Sequence, residues 1–282
     1  MPSDEPQFLE LAGPSGPRRI AVLIERHTVA AGSPATPGLV WLQGFKSDMV
    51  STKASALSQW CRPRGLALTR FDYSGRGRSG GRFADGTLSR WLEETAAVFR
   101  QLTEGPQLLI GSSMGGHIAL LLIRHLRQIA PAEAARIKGA VLIAPAWDMT
   151  EALMWAGFSS QIRAAIERDG QYLRPSRYGD APYPITRALI EDGRNHLFAG
   201  TSFDPGCPLR ILHGMQDGDV PWRHSLGLID LLASADVRLT LIKDGEHRLS
   251  RPQDLALLLG AIAELAASGA SGAPASHPRS QT

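Results

Sequence analysis

Cysteine is scarce in this 282-residue sequence, which contains only Cys61 and Cys207. The two are isolated, no C-x-x-C motif is present, and no pair of histidines has the spacing of metal ligands. A disulfide framework and a zinc-finger type of site are therefore excluded. We expect two reduced, buried thiols, no metal site and a reducing compartment.

Long apolar runs and targeting signals are also missing. No segment is apolar over the length that a bilayer-spanning helix needs. The N-terminal residues MPSDEPQFLE are acidic, and they lack both the apolar h-region of a secretory signal and the arginines of a transit peptide. These absences predict a soluble protein without a membrane span, located in the cytoplasm.

Charge of one sign is not concentrated anywhere in the chain. There are 30 lysines and arginines and 27 acidic residues, which leave a formal net charge of +3, and the basic residues are dispersed. No basic run is interleaved with aromatic residues, so we predict no nucleic-acid partner. A hydrophobic content of 43% with 20% charged residues is that of an ordinary globular protein.

The most informative segment that is present runs from Gln107 to Leu122, QLLIGSSMGGHIALLL. Its apolar start is typical of a buried strand, and the apolar residues after the glycines recur at helical spacing. Between the two, GSSMG from Gly111 to Gly115 fits G-x-S-x-G, the motif of a sharp strand-to-helix turn that exposes a serine hydroxyl. Ser113 is therefore the candidate nucleophile.

Strands and helices are predicted to alternate on both sides of this segment. Residues 7–12 and 18–26 have the pattern of a β-hairpin, and buried strands separated by helices follow. This alternation predicts an α/β fold with a mostly parallel sheet covered by helices on both faces. It lapses at about residues 146–205, where we predict a small cap insertion. We expect a single domain over residues 1–267 and a disordered tail over residues 268–282.

A serine nucleophile requires a base and an acid. In the α/β-hydrolase architecture these follow in the order Ser, Asp or Glu, His, at the ends of later strands. Asp217 follows the apolar run Leu209–Leu212, and His247 follows Val237–Ile242. Order and strand-end placement agree, so we interpret Asp217 as the acid and His247 as the base. The alternatives for the acid are Asp219 and Asp148.

The tetrahedral intermediate of acyl transfer needs two backbone N–H donors for its oxyanion. One is the N–H of Met114, directly after the nucleophile. The other is expected from the loop after the strand Leu39–Leu42, at Phe45. Members of this fold often have His-Gly in that loop, whereas this chain has Gln43-Gly44. Because the donor is a main-chain group, the difference alters side-chain hydrogen bonds more than the oxyanion hole itself.

The predicted cap has apolar side chains near its beginning. Either they pack the cap on the core or they form the walls of an acyl pocket, and both interpretations require the same buried face. The residues that we interpret as pocket walls are Met149, Leu153, Trp155 and Phe158.

On these motifs the chain resembles the α/β-hydrolase group that includes mitochondrial palmitoyl-protein thioesterase, also known as mycophenolic acid acyl-glucuronide esterase. The similarity extends from about Gly38 to Leu259. The resemblance implies the α/β-hydrolase fold, and it places the nucleophile, acid and base of the group on Ser113, Asp217 and His247. The mitochondrial address is not implied, because the N-terminal residues lack a transit peptide. The matching segments are Thr52–Ala54, Arg70–Gly75, Gly105–Gly116 and Cys207–Trp222.

The sequence thus predicts a serine hydrolase that cleaves a carboxylic ester or acyl thioester through an acyl-enzyme, with no metal and no organic cofactor. The expected substrates are small-molecule esters and acyl thioesters, including S-acylated protein and acyl glucuronides. Two alternatives remain open: an amide or peptide hydrolase of the same fold, and a non-catalytic module that binds a ligand under the cap. Ser113 argues against haloalkane or epoxide hydrolysis, which normally uses an aspartate nucleophile.

Overall fold

The computed structural model describes residues 5–13, 16–26, 36–176 and 181–270. The strands in these ranges are β1 (Gln7–Leu11), β2 (Arg18–Glu25), β3 (Gly38–Leu42), β4 (Leu68–Phe71), β5 (Gln107–Ser112), β6 (Ile137–Ile143), β7 (Gln171–Arg174), β8 (Tyr183–Thr186), β9 (Leu209–Gly214) and β10 (Val237–Ile242). The α-helices are α1 (Thr52–Cys61), α2 (Leu88–Leu102), α3 (Met114–Ile129), α4 (Pro131–Ala134), α5 (Ser160–Asp169), α6 (Arg187–Gly193), α7 (Arg223–Leu231) and α8 (Pro252–Ala270). A π-helix lies at Met149–Trp155.

The main sheet has eight strands in the order β1-β2-β4-β3-β5-β6-β9-β10. Strand β2 pairs antiparallel with β1, as the hairpin pattern predicts, and also with β4. All other neighbours in the sheet are parallel. The prediction of a mostly parallel sheet is confirmed. Because parallel strands have their carboxyl ends at one edge, the loops that follow β3, β5, β9 and β10 lie at the same edge of the sheet.

Strand β3 shows how the sheet separates two apolar cores. All of its residues are buried, and its side chains alternate between the two faces of the sheet. Val40 and Leu42 pack in the cluster that contains α2 and α3, whereas Leu39 and Trp41 pack in the cluster that contains α1 and α8. A strand covered on both faces needs no polar side, which explains why this segment is a continuous apolar run.

Between β6 and β9 the regular alternation stops, and the chain forms an insertion. It contains the π-helix, α5, the antiparallel pair β7–β8 and α6. Residues 146–205, where the sequence predicts a cap, therefore have helices and strands of their own. Buried side chains of the insertion belong to the same apolar cluster as α2 and α3, among them Met154, Ile166, Ile185 and Leu189.

The last helix, α8, begins at Pro252, where the missing N–H of proline costs no helical hydrogen bond. It ends at Ala270, so the tail that was predicted to begin at Ser268 is helical at its start. The Ser268 hydroxyl donates a hydrogen bond of 3.1 Å to the carbonyl of Glu264, one turn earlier in the same helix. The rest of the predicted tail, residues 271–282, lies outside the described residues. Across the described ranges, none of the helices has both the length and the apolarity required to cross a bilayer.

Candidate active site

The turn between β5 and α3 holds Ser113 in a strained backbone conformation. Its φ is 55° and its ψ is −116°, a combination that residues with a side chain rarely adopt. The turn is possible because glycines lie two residues before and two residues after Ser113. A Cβ on Gly115 would lie 1.9 Å from the carbonyl oxygen of Leu42, and a Cβ on Gly111 would lie 2.4 Å from the carbonyl oxygen of Gly115. The glycines of the G-x-S-x-G motif therefore allow α3 to fold back closely against β3 and β5.

Side chains from three different loops form a continuous chain of hydrogen bonds at this edge of the sheet. His247 Nε2 lies 3.2 Å from Ser113 Oγ, and His247 Nδ1 lies 2.7 Å from Asp217 Oδ2. These residues follow β5, β9 and β10, so the structure brings together the three residues that the sequence proposes as nucleophile, acid and base. In this order the imidazole can take the serine proton while the carboxylate stabilises the resulting imidazolium.

The side chain of Asp217 is buried and is held from several sides. Its Oδ1 accepts hydrogen bonds of 2.8 Å from the backbone N–H groups of Asp219 and Val220, and His213 Nε2 lies 3.3 Å from its Oδ2. Burial opposes ionisation, but the hydrogen bonds from His213, His247 and the Val220 N–H outweigh it and hold the pKa of Asp217 well below its usual range. Asp217 is therefore an ionised partner for the imidazole.

The two alternative acids have other contacts. Both ring nitrogens of His247 are already engaged, and Asp219 instead contributes its backbone N–H to Asp217. Asp217, Asp219 and His247 place possible metal-ligand atoms within 4.8 Å of one another, but a metal ion would have to displace the hydrogen bonds that Asp217 accepts. Asp148 accepts hydrogen bonds of 2.8 and 2.9 Å from two backbone N–H groups near the end of the insertion. Asp148 therefore joins the two ends of the insertion to each other.

The loop after β3, which contains the predicted oxyanion donor Phe45, lies against the nucleophile. A Cβ on the preceding Gly44 would come within 3.4 Å of Ser113 Cβ. The second predicted donor, Met114, is the first residue of α3, where backbone N–H groups have no acceptor within the helix. Both donors thus belong to segments that adjoin Ser113, and the N-terminal end of a helix favours negative charge.

Two residues of the loop after β4 hold the loop after β3 in place. The Arg76 guanidinium donates a hydrogen bond to the carbonyl of Lys46, a residue with a φ of 65°. Asp72 accepts hydrogen bonds of 2.8 Å from the N–H groups of Met49 and Arg78. This role of Arg76 could not be predicted from the sequence, because a contact between two loops that are distant in the chain has no local signature.

Ser113 and His247 line a cavity of about 460 Å³. Met149 and Leu153, two of the four predicted pocket residues, contribute to its walls together with polar residues such as Asp219. An adjoining cavity of about 340 Å³ shares Leu153 with the first. Leu153 therefore lies where the two cavities meet.

The other two predicted pocket residues do not line the cavity next to Ser113. Phe158 lines the adjoining cavity. The Trp155 ring contacts the guanidinium groups of Arg163 and Arg194, 5.4 and 5.3 Å from its centroid. Trp155 is the last residue of the π-helix, whose turns are wider than those of an α-helix, so its side chain does not lie on the face that α-helical spacing predicts. For Trp155 the packing interpretation is the one that fits, since it packs against the main core.

Known proteins that are similar in sequence identify the family of this chain. A family model described as serine aminopeptidase, S33, matches residues 40–183. Palmitoyl-protein thioesterase ABHD10, mitochondrial, from Mus musculus is 34% identical over 231 residues, which are 82% of this chain and 75% of the mouse protein. The chain belongs to the α/β-hydrolase superfamily.

Solved structures of similar proteins agree with this membership. An Agrobacterium vitis S4 protein described only as a hydrolase superposes on this α/β-hydrolase with a TM-score of 0.87 at 42% identity, covering 93% of this chain and 98% of that one. Mouse alpha/beta hydrolase domain-containing protein 10 superposes with a TM-score of 0.78 at 30% identity, covering 93% of this chain and 99% of the mouse chain. The predicted fold class and the predicted resemblance are confirmed, and the family chemistry is hydrolysis.

Proposed function

We propose that this α/β-hydrolase cleaves carboxylic esters or acyl thioesters through an acyl-enzyme formed on Ser113. The observation that carries the proposal is the unbroken hydrogen-bond chain from Ser113 Oγ through His247 to Asp217, at the wall of a cavity. A buried, ionised carboxylate behind the imidazole fixes its tautomer and stabilises its charged form. The mouse relative named palmitoyl-protein thioesterase supports an acyl substrate.

In the mechanism that we propose, Ser113 Oγ attacks the acyl carbonyl carbon while His247 Nε2 takes the hydroxyl proton. The negative charge then rests on the former carbonyl oxygen, which accepts hydrogen bonds from the N–H groups of Phe45 and Met114. As the tetrahedral intermediate collapses, His247 gives the proton to the departing alcohol or thiol. A water molecule then repeats the sequence on the acyl-enzyme, which releases the carboxylic acid and restores the Ser113 hydroxyl.

The substrate class that we propose is a small-molecule ester or acyl thioester, with S-acylated protein and acyl glucuronides included. Met149, Leu153 and Met154 give the cavity an apolar wall beside the nucleophile, which suits an acyl chain. No metal or organic cofactor takes part in this mechanism, because the imidazole and the main-chain donors supply both the proton transfer and the charge stabilisation.

An amide or peptide hydrolase is the second candidate, because the matching family model is described as serine aminopeptidase. An amine is a much poorer leaving group than an alcohol or thiol, and it must be protonated as the C–N bond breaks. Comparing p-nitrophenyl esters with p-nitroanilides of the same acyl groups separates the candidates. Rapid ester hydrolysis without anilide hydrolysis supports the esterase, and comparable rates on both support the amidase.

The first prediction concerns Ser113→Ala, tested on p-nitrophenyl esters and matched acyl thioesters from acetyl to palmitoyl. Loss of the nucleophile should lower kcat on the order of 10⁴ to 10⁶-fold. Ser160→Ala, at the exposed start of α5, is the matched control and should hydrolyse the series as the wild type does.

Two outcomes contradict this proposal. An undiminished rate in Ser113→Ala shows that the nucleophile lies elsewhere. A wild-type protein that neither hydrolyses any member of the series nor reacts with a fluorophosphonate at Ser113 is a ligand-binding module rather than an enzyme.

A further inference from the structure

A buried lysine connects α1 to the loop that carries His247. Lys53 is the second residue of α1 and is 9% exposed. Its ammonium donates a hydrogen bond to the carbonyl of Arg248, the residue after His247, and lies 3.4 Å from Ser250 Oγ. Lys53, His247, Arg248 and Ser250 all line the cavity that contains Ser113. The Lys53 ammonium therefore connects α1 to the His247 loop at the wall of this cavity.

The position is electrostatically unfavourable for a cation. Burial lowers the pKa of Lys53 to about 8, the carboxylates of Glu246 and Asp254 oppose this shift, and the neighbouring Arg248 adds to it. The first turn of a helix also carries a partial positive charge that disfavours a lysine. An apolar residue of the same length would fill this space at lower electrostatic cost. What such a residue lacks is a donor for the Arg248 carbonyl.

The His247 loop depends on tertiary contacts for its shape. Leu249 has a φ of 42° although it is not a glycine, and its side chain is buried at 3% exposure. Arg251 pairs with Asp244, which precedes His247, and with Asp254, which follows it. These ion pairs fasten the two flanks of the loop to each other. The contact with Lys53 fastens the loop to α1 at the residue directly after His247.

We propose that Lys53 is a positioning residue, whose ammonium holds the Arg248 carbonyl so that His247 Nε2 stays within hydrogen-bond distance of Ser113 Oγ. This inference rests on the proposed function. Helix α1 follows the loop that contains Phe45, so Lys53 also links the side of the site that supplies an oxyanion donor to the side that supplies the base. Displacing a catalytic base by about 1 Å is sufficient to cost about 10²-fold in rate.

The decisive variant is Lys53→Met, which keeps the length of the side chain and removes the donor. We expect kcat on p-nitrophenyl butyrate to fall about 10- to 100-fold, with KM changed less than about twofold and fluorophosphonate labelling of Ser113 slowed in proportion to kcat. The melting temperature should not fall, because a buried charge is replaced by an apolar group. Lys138→Met, on an exposed position of β6, is the matched control and should behave as the wild type.

A second variant, Lys53→Arg, separates a requirement for a hydrogen-bond donor from simple packing. An arginine keeps N–H donors at the end of its side chain, so Lys53→Arg should recover part of the kcat that Lys53→Met loses. A Lys53→Met enzyme with kcat within twofold of wild type overturns the inference, as does a loss of kcat matched by an equal loss of folded protein. If Ser113→Ala abolishes activity while Lys53→Met does not, only the role of Lys53 fails. If wild-type Ser113 is neither labelled nor active, the proposed function fails with it.

Discussion

Two neighbouring aspartates, Asp217 and Asp219, have different roles at this site. The Asp217 carboxylate binds the His247 ring, whereas Asp219 contributes a backbone N–H to Asp217. We predict that Asp217→Asn lowers kcat on the order of 10⁴-fold, because a neutral amide stabilises the wrong imidazole tautomer and no longer stabilises the imidazolium. Asp219→Asn keeps its backbone N–H and should have a far smaller effect. Initial rates on p-nitrophenyl acetate measure both, and a larger loss in Asp219→Asn would transfer the role of the acid to that residue.

The residues that the sequence predicts best are those defined by strand ends. Ser113, Asp217 and His247 each follow a recognisable apolar strand, and parallel strands bring such positions together. Arg76 and Lys53 could not be found in this way, because each donates a hydrogen bond to a carbonyl in a loop that is distant in the chain. A hydrogen bond to a distant main-chain oxygen leaves no pattern in either segment. Positioning residues of this kind are visible only once the chain is folded.

The π-helix of the insertion contributes Met149, Leu153 and Met154 to the wall of the cavity at Ser113. Leu153 lines both the cavity at Ser113 and the adjoining cavity. We predict that Leu153→Trp fills the space where the two cavities meet, so that kcat/KM for palmitoyl esters falls more than that for acetyl esters. The measurement is the ratio of the two kcat/KM values in the p-nitrophenyl ester series.

Leu173→Trp is the control for this element, because Leu173 is an exposed leucine on β7 of the same insertion. Its palmitoyl-to-acetyl ratio should equal that of the wild type. If Leu153→Trp also leaves the ratio unchanged, long acyl chains do not pass Leu153.

The sequence predicts the existence of most strands and helices, but not the type of every helix or the residue at which each one ends. The hairpin, the elbow and the strands before Asp217 and His247 are where the apolar patterns predict them. The π-helix was not predicted, since the spacing of its apolar residues is compatible with an α-helix. Helix α8 also extends past its last bulky residues, to Ala270, in a segment whose composition predicts disorder.

For the molecule as a whole, a buried histidine links stability to pH. Burial lowers the pKa of His117 in α3 to about 3 from an ordinary value of 6.5. The unfolded chain therefore binds this proton at a higher pH than the native protein, so His117 destabilises the fold as pH falls from 6.5 towards 3. The limiting slope is about 1.4 kcal/mol per pH unit. We predict that His117→Leu reduces this acid dependence, measured as the urea unfolding free energy at several pH values between 7 and 4.

His125→Leu is the control, because it makes the same substitution in the same helix. Its unfolding free energy shows how far replacing a histidine by leucine in α3 changes stability at each pH. Asp148, whose Oδ1 lies 3.8 Å from His117 Nε2, has a pKa raised by its own burial and is present in all three proteins. A change in pH dependence that His125→Leu does not share is therefore assigned to His117 together with its contact to Asp148. Parallel pH dependences in wild type and His117→Leu would show that this histidine does not govern acid stability.

The overall topology could be predicted because crossovers between parallel strands are right-handed and because each apolar run has to be covered on both faces. The packing of the insertion could not be predicted from the sequence, since its strands are short and its apolar residues have no regular period. The cytoplasmic location and the single-domain division over residues 1–267 stay predictions. Both concern properties on which neither the sheet nor the site bears.

The order of the site residues along the chain has a consequence for synthesis. Ser113 and His247 are separated by 134 positions, and His247 follows β10, which is added to the edge of the sheet after β9. A nascent chain on the ribosome can therefore complete its nucleophile elbow long before it has a base. Because synthesis proceeds from the N-terminus at about 5–20 residues per second, several seconds separate the synthesis of Ser113 from that of His247. The proposed transfer of the serine proton therefore becomes possible only after His247 has been synthesised.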